Sequence, residues 1–112
     1  MSEYSFNEYQ KESRKTAEYK TIGHKIIYPT LGLLGETGEV AEKIKKIFRD
    51  HDAKISPEQQ ELLSKELGDV LWYLAQMATE LDLTLENIAK QNLEKLNSRL
   101  ERGVIHGSGD NR

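Results

Sequence analysis

SPEQQELLSKELGDVLWYLAQMATEL, residues 56–81, is the stretch whose reading decides the fold. Ser56 is an N-cap type, Pro57 suits the first helical position, and Gln59 stands three residues after Ser56 to close a capping box. With Glu66 set at zero on a helical wheel, Leu63, Leu67, Val70, Leu71, Leu74, Met77, Ala78 and Leu81 cover roughly 20° to 140°. The period is 3.6, so the stretch predicts a helix from Pro57 to about Leu81, broken by Asp82 and Leu83.

Outward from it, Thr84 caps the next helix, with Asn87 three positions on. That helix runs from Leu85 to about Arg102, and Gly103 stops it. Upstream, a helix from Tyr28 or Thr30 to Asp50 carries Leu33, Leu34, Val40, Ala41, Ile44, Ile47 and Phe48 at helical spacing. Gly32, Gly35 and Gly38 weaken its first half by about 1 kcal/mol each, which calls for the close approach of a backbone or ligand. Residues 4–20 read as a helix with a thin apolar face (Tyr4, Phe6, Tyr9, Ala17 and Tyr19). Thr21 to Pro29 reads as a loop, His51 to Ile55 as a polar connection, and 103–112 as a flexible, Gly-rich tail. No alternating run suggests a strand. The expectation is all-α: one domain over residues 1–112, a four-helix bundle completed by oligomerisation.

Composition narrows the classes. The 112 residues are 37% hydrophobic and 31% charged, too little apolar surface for a self-sufficient helical monomer. Sixteen Lys and Arg against 19 Asp and Glu leave a charge of −3, which disfavours binding to a nucleic acid polymer. Without cysteine there are no disulfides, Cys-ligated zinc or thiol nucleophiles. Met1 to Gln10 has neither the basic start nor the apolar run of a signal peptide, and nothing approaches the ~20 apolar residues of a membrane span. A cytoplasmic protein is the expectation.

The chemistry lies in two acidic pairs, Glu36 with Glu39 and Glu66 with Asp69. Each is spaced i, i+3, so each shares a helix face. On both wheels the first acid borders the apolar arc and the second stands about 60° beyond it. Two such helices packed antiparallel bring four carboxylates together, and they repel unless a hard cation such as Mg²⁺ or Mn²⁺ neutralises them. The alternative is a set of solvated surface acids with i, i+4 partners. Only Glu39 has a cation there, Lys43. Glu42, Glu58 and Glu61 read as solvated face.

The fourth helix carries Lys95, Arg99 and Arg102 beside Asn92, flanking an arc of Leu85, Ala89, Leu93, Leu96 and Leu100. Such a stripe suits a polyphosphate, with Arg as a fork and Lys as a point charge. Equally, it suits a helix end whose cations complement the dipole. Gly107, Ser108 and Gly109 offer donors to phosphate if the tail is ordered. Tyr73 falls between Glu66 and Asp69, one turn on, within reach of a ligand or packed in the core. Trp72 lies outside the apolar arc and reads as an oligomer contact or a base-stacking group. There is no His-Glu-x-x-His, no Glu-x-x-His and no Walker loop.

Gly32-Leu-Leu-Gly-Glu-Thr-Gly-Glu39-Val-Ala-Glu, followed by Lys65-Glu-Leu-Gly-Asp69-Val-Leu-Trp-Tyr73-Leu, resembles the MazG-like nucleotide pyrophosphohydrolases of the all-α NTP pyrophosphatase superfamily. The Glu-x-x-Glu and Glu-x-x-Asp halves stand in the family's order, and the ending from Arg102 to Arg112 resembles that of short single-domain members, phage-encoded ones included. The resemblance implies Mg²⁺ ligands at Glu36, Glu39, Glu66 and Asp69, with Mn²⁺ as substitute. It implies phosphate contacts at Lys95 and Arg99, a polar contact at Asn92, and nucleotide contacts at Tyr73 and His24. It further implies hydrolysis of (d)NTP to (d)NMP and pyrophosphate by a homodimer or homotetramer, with Glu39 or Glu36 taking the proton of the attacking water. The rival readings are a related hydrolase of dUTP, ppGpp or phosphoribosyl-ATP, and a non-catalytic metal-binding interaction module.

Overall fold

The structure, a computed structural model, describes residues 4–50, 52 and 54–112. Part of the Met1–Gln10 start and part of the His51–Ile55 connection therefore lie outside the described residues. Among the described residues four helices follow in order: α1 Phe6–Arg14, α2 Ile27–Asp50, α3 Pro57–Glu80 and α4 Leu85–Glu101. Among the described residues there is no strand, only an isolated bridge between Ile22 and His24 around Gly23. The all-α expectation holds.

The caps work as their residue types dictate. The Ser56 side chain accepts from the Gln59 N–H at 3.2 Å, and the Gln59 side chain accepts from the Ser56 N–H at 2.8 Å. Thr84 accepts from the Asn87 N–H at 3.1 Å, and Gly103 takes the left-handed conformation that ends α4. Pro29 sits in the first turn of α2, where no intrahelical donor is missed, and is buried.

α1 is shorter than the expected 4–20. It ends at Arg14 because residues 15–20 are drawn into contacts with α3. Trp72 donates its Nε1–H to the Thr16 hydroxyl at 2.9 Å, and the Tyr19 hydroxyl donates to Glu80 at 2.7 Å. Arg14 adds bonds to Tyr19, Gln76 and Glu80. The fully buried Gln76 amide completes this network by donating to the Ser13 hydroxyl at 3.0 Å. Tertiary contacts have overridden a weak helical pattern.

α2 and α3 lie along one another as an antiparallel hairpin, the most extensive packing in the chain. α1 crosses α3 and α4, and Gln10 pins the α3–α4 junction through Thr79, the Leu83 carbonyl and the Leu85 N–H. The core is small: Ala75, Ala78 and Leu85, flanked by Tyr9, Leu71 and Ile88. Much of each apolar arc stays exposed, Leu34 at 66% and Leu67 at 55% among them. The chain exposes 8495 Å², against about 6,300 Å² for a compact monomer of this mass. Its radius of gyration is 17.2 Å, against roughly 13 Å for a compact 112-residue domain. Among the described residues no helix is long and apolar enough to cross a membrane.

Candidate metal and active site

The hairpin brings three of the four acids together. Glu36, Glu39 and Glu66 each present a carboxylate oxygen within 4.8 Å of the others. The Oε2 atoms of Glu36 and Glu66 are buried and have no hydrogen-bond partner. Burial pushes the Glu36 carboxyl above its ordinary range, reinforced by the negative charges of Glu39 and Asp69 and by the adjacent Glu66. Asp69 stands outside the tight group of three, exposed, but close enough for its charge to act on Glu36, Tyr9 and Tyr73. Orphaned carboxylate oxygens facing one another are what a hard divalent cation satisfies. The donor set is all oxygen, so it fits Mg²⁺ or Mn²⁺.

One cation intrudes. Lys43, which by spacing pairs with Glu39, instead reaches across the hairpin to Glu66, Nζ to Oε1 at 3.6 Å. Spacing along one helix gives no hint of this, because the partner lies on the opposite helix of the hairpin.

Tyr73 borders the site. Burial raises its hydroxyl pKa, with further contributions from Tyr28, Glu36 and Asp69. Its ring lies against Gly32, where a Cβ would land on the ring atoms. The close approach expected at the α2 glycines is therefore realised at Gly32 by an aromatic ring, whereas Gly35 and Gly38 face open space within the chain. Trp72 packs edge-on to Tyr73 at 5.0 Å and to Tyr19 at 6.4 Å, and Tyr19 stacks on Tyr28 at 5.2 Å. Trp72 thus anchors the 15–20 segment within the chain, a role neither expectation for it included. His24 is exposed, and its Nδ1 accepts from the Ile26 N–H at 3.1 Å, fixing the turn that leads into α2.

The basic edge is not part of this cluster. α4 packs chiefly on α1, and its C-terminal half is engaged by the chain's own tail. Asp110 Oδ1 lies 3.5 Å from Lys95 Nζ and 3.4 Å from Arg99 Nη2, which also donates to the Asp110 carbonyl at 2.9 Å. Arg99 is only 4% exposed, and its Nε is buried without a partner. Asn92 is exposed beside an apolar groove lined by Phe6, Leu71 and Leu85. The contacts of Asp110 leave no trace in the sequence, because the Gly-rich segment around it carries no periodic signal.

Residues 28–104 match the model of the MazG nucleotide pyrophosphohydrolase domain. The Gene 37 protein of Mycobacterium phage L5 is 50% identical over 109 residues, covering 93% of this chain and 96% of that protein. The uncharacterized protein YvdC of Bacillus subtilis (strain 168) is 38% identical over 74 residues, covering 62% of this chain and 70% of that protein. No solved structure matches the chain significantly. The matched span takes in both acid-bearing helices and the basic edge of α4, and it makes this chain a member of the MazG nucleotide pyrophosphohydrolase domain family.

Proposed function

We propose that the chain is a Mg²⁺-dependent nucleoside triphosphate pyrophosphohydrolase, converting (d)NTP to (d)NMP and pyrophosphate. The family supports nucleotide pyrophosphatase chemistry. The observation that carries the metal-dependent reading is the meeting of Glu36, Glu39 and Glu66 with two buried, unpartnered oxygens. These three and Asp69 would hold the ion, which when bound supplies Lewis-acid charge at the phosphate chain. Glu39 takes the proton of the attacking water, with Glu36 as the other candidate; that Glu39 is the exposed member of the three supports this. Lys95 and Arg99 balance charge on the leaving pyrophosphate. Tyr73, Asn92 and His24 contact the nucleotide, Tyr73 from its place beside Glu36 and Asp69.

Because α4 is not laid over the acids of its own chain, we assign the phosphate-binding edge to a neighbouring copy in a homodimer or homotetramer. The surface of about 2,200 Å² beyond that of a compact monomer matches what a stable subunit interface covers. A cytoplasmic location, that of a phage host included, accords with a nucleotide substrate. The test is a panel of nucleoside and deoxynucleoside triphosphates, dUTP and ppGpp, incubated with and without Mg²⁺ and analysed for products. Monophosphate and pyrophosphate in equal amounts, only with the metal, is the expected result. Release of orthophosphate, or no turnover, overturns the reading.

A further inference from the structure

The helix α4 is fully capped by residue 104. The Val104 N–H donates to the Arg99 carbonyl at 2.9 Å and the Gly103 N–H to the Leu100 carbonyl at 3.2 Å. Nothing beyond is needed to end the helix, yet the chain continues into a built loop. Arg112 closes it: Nε donates to the Val104 carbonyl at 2.9 Å, Nη2 to the Ile105 carbonyl at 3.0 Å, and Nη1 to the Gly109 carbonyl. Gly107 leaves room for it, since a Cβ there would meet the Arg112 Cδ at 2.5 Å. Gly109 takes a left-handed φ of +82° that only glycine adopts freely. Arg102 bonds both the Arg112 carbonyl, at 2.7 Å, and the Ser98 hydroxyl.

Such a ring of backbone carbonyls around one guanidinium fixes the loop, and the loop aims a single carboxylate, Asp110, at the basic edge. Lys95 and Arg99 are one turn apart on α4 and repel. Asp110 Oδ1 lies between them, while the Gly109 and Asp110 carbonyls hold Arg99 Nη2 at 3.4 and 2.9 Å. The guanidinium of Arg99 is thereby held in place by the loop through Nη2. The Lys95 side chain, 42% exposed, is left as the directed point charge.

We propose that residues 103–112 are a positioning loop for phosphate binding, locked by Arg112, in which Asp110 sets where Lys95 and Arg99 stand. This rests on the reading of Lys95 and Arg99 as phosphate contacts. Arg112 and Asp110 act through those cations and touch no reacting atom.

The test uses the full chain with Arg112→Ala, Arg112→Lys and Asp110→Asn. The readouts are calorimetric binding of inorganic pyrophosphate with Mg²⁺, steady-state KM and kcat, and the rate of tryptic cleavage after Arg99 and Arg102. Arg112→Ala should weaken pyrophosphate binding and raise KM by about tenfold, leave kcat within about twofold, and speed the cleavage. Arg112→Lys should resemble Arg112→Ala, because one ammonium nitrogen cannot stand at the three places that Nε, Nη1 and Nη2 occupy. Asp110→Asn should also raise KM.

If Asp110→Asn lowers KM, the carboxylate competes with phosphate and the proposal is overturned. Unchanged KM and pyrophosphate binding in Arg112→Ala overturn it as well, even if the variant melts lower, because the loop is then a stability element alone. A parent that binds pyrophosphate but hydrolyses no nucleotide, with binding lost in the variants, supports the loop and defeats the hydrolase reading. A parent that binds no pyrophosphate defeats the loop proposal.

Discussion

Glu36 concentrates the energetics of the site in one side chain. Burial and three neighbouring acids raise its pKa above the ordinary 4.5. A carboxyl raised in the folded state stabilises the protein most below the unfolded value and loses that contribution as pH rises through the folded value. In chelator at pH 7, Glu36→Gln should therefore melt above the parent, and the gap should close as pH falls to about 4. Parallel thermal melts across pH check this, and a variant that melts lower at pH 7 argues against a repulsive cluster. Asp69→Asn separates the metal role from mere crowding. It keeps the shape and removes a ligand charge, so turnover should fall by more than about a hundredfold, and the Mg²⁺-induced rise in melting temperature should shrink. Parental turnover in Asp69→Asn would refute a four-acid metal site.

At the scale of elements, α2 and α3 owe their spans to local signals, and their mutual placement to apolar packing that includes the Tyr73 ring on Gly32. Gly32 is the sharpest probe. A methyl there gains about 1 kcal/mol of helix propensity but strikes a Tyr73 ring already packed against Trp72, an overpacking that costs typically 1–3 kcal/mol. Gly32→Ala should lower the melting temperature. Gly35→Ala meets nothing within 4 Å in its own chain, so the free hairpin should gain up to about 1 kcal/mol. Measured side by side by chemical denaturation, the two substitutions should have opposite signs. If Gly35→Ala destabilises instead, the space beside it is filled in solution by another molecule.

The whole molecule is under-buried. A core of Ala75, Ala78 and Leu85 beside exposed leucines at positions 31, 34, 67, 93 and 100 leaves too little burial to offset the entropy of ordering the chain. The expected state is a dimer or tetramer at micromolar concentration, and Leu34→Glu should shift it towards smaller species with a lower melting temperature. Sedimentation velocity reads both. A folded parent sedimenting as a 12.9 kDa monomer would contradict the area argument.

What the sequence by itself determined is what depends on neighbours within a helical turn or two. Ser56, Pro57 and Gln59 start α3, Thr84 starts α4 and Gly103 ends it, because capping involves residues three or four apart. The i, i+3 spacing likewise set Glu36 with Glu39 and Glu66 with Asp69 on one face of each helix, and the packed hairpin gathers the first three. Only the tertiary structure decided the contacts between residues far apart in the chain. The hydroxyl of Thr16 met Trp72 and shortened α1, Lys43 turned to Glu66, and Tyr73 claimed the space at Gly32. The C-terminal segment, expected as a flexible arm, shows hydrogen bonds from Arg99, Arg102 and Arg112. Guanidinium-to-carbonyl bonds of that kind leave no periodic trace, since they depend on where a glycine-rich backbone turns rather than on which residues repeat.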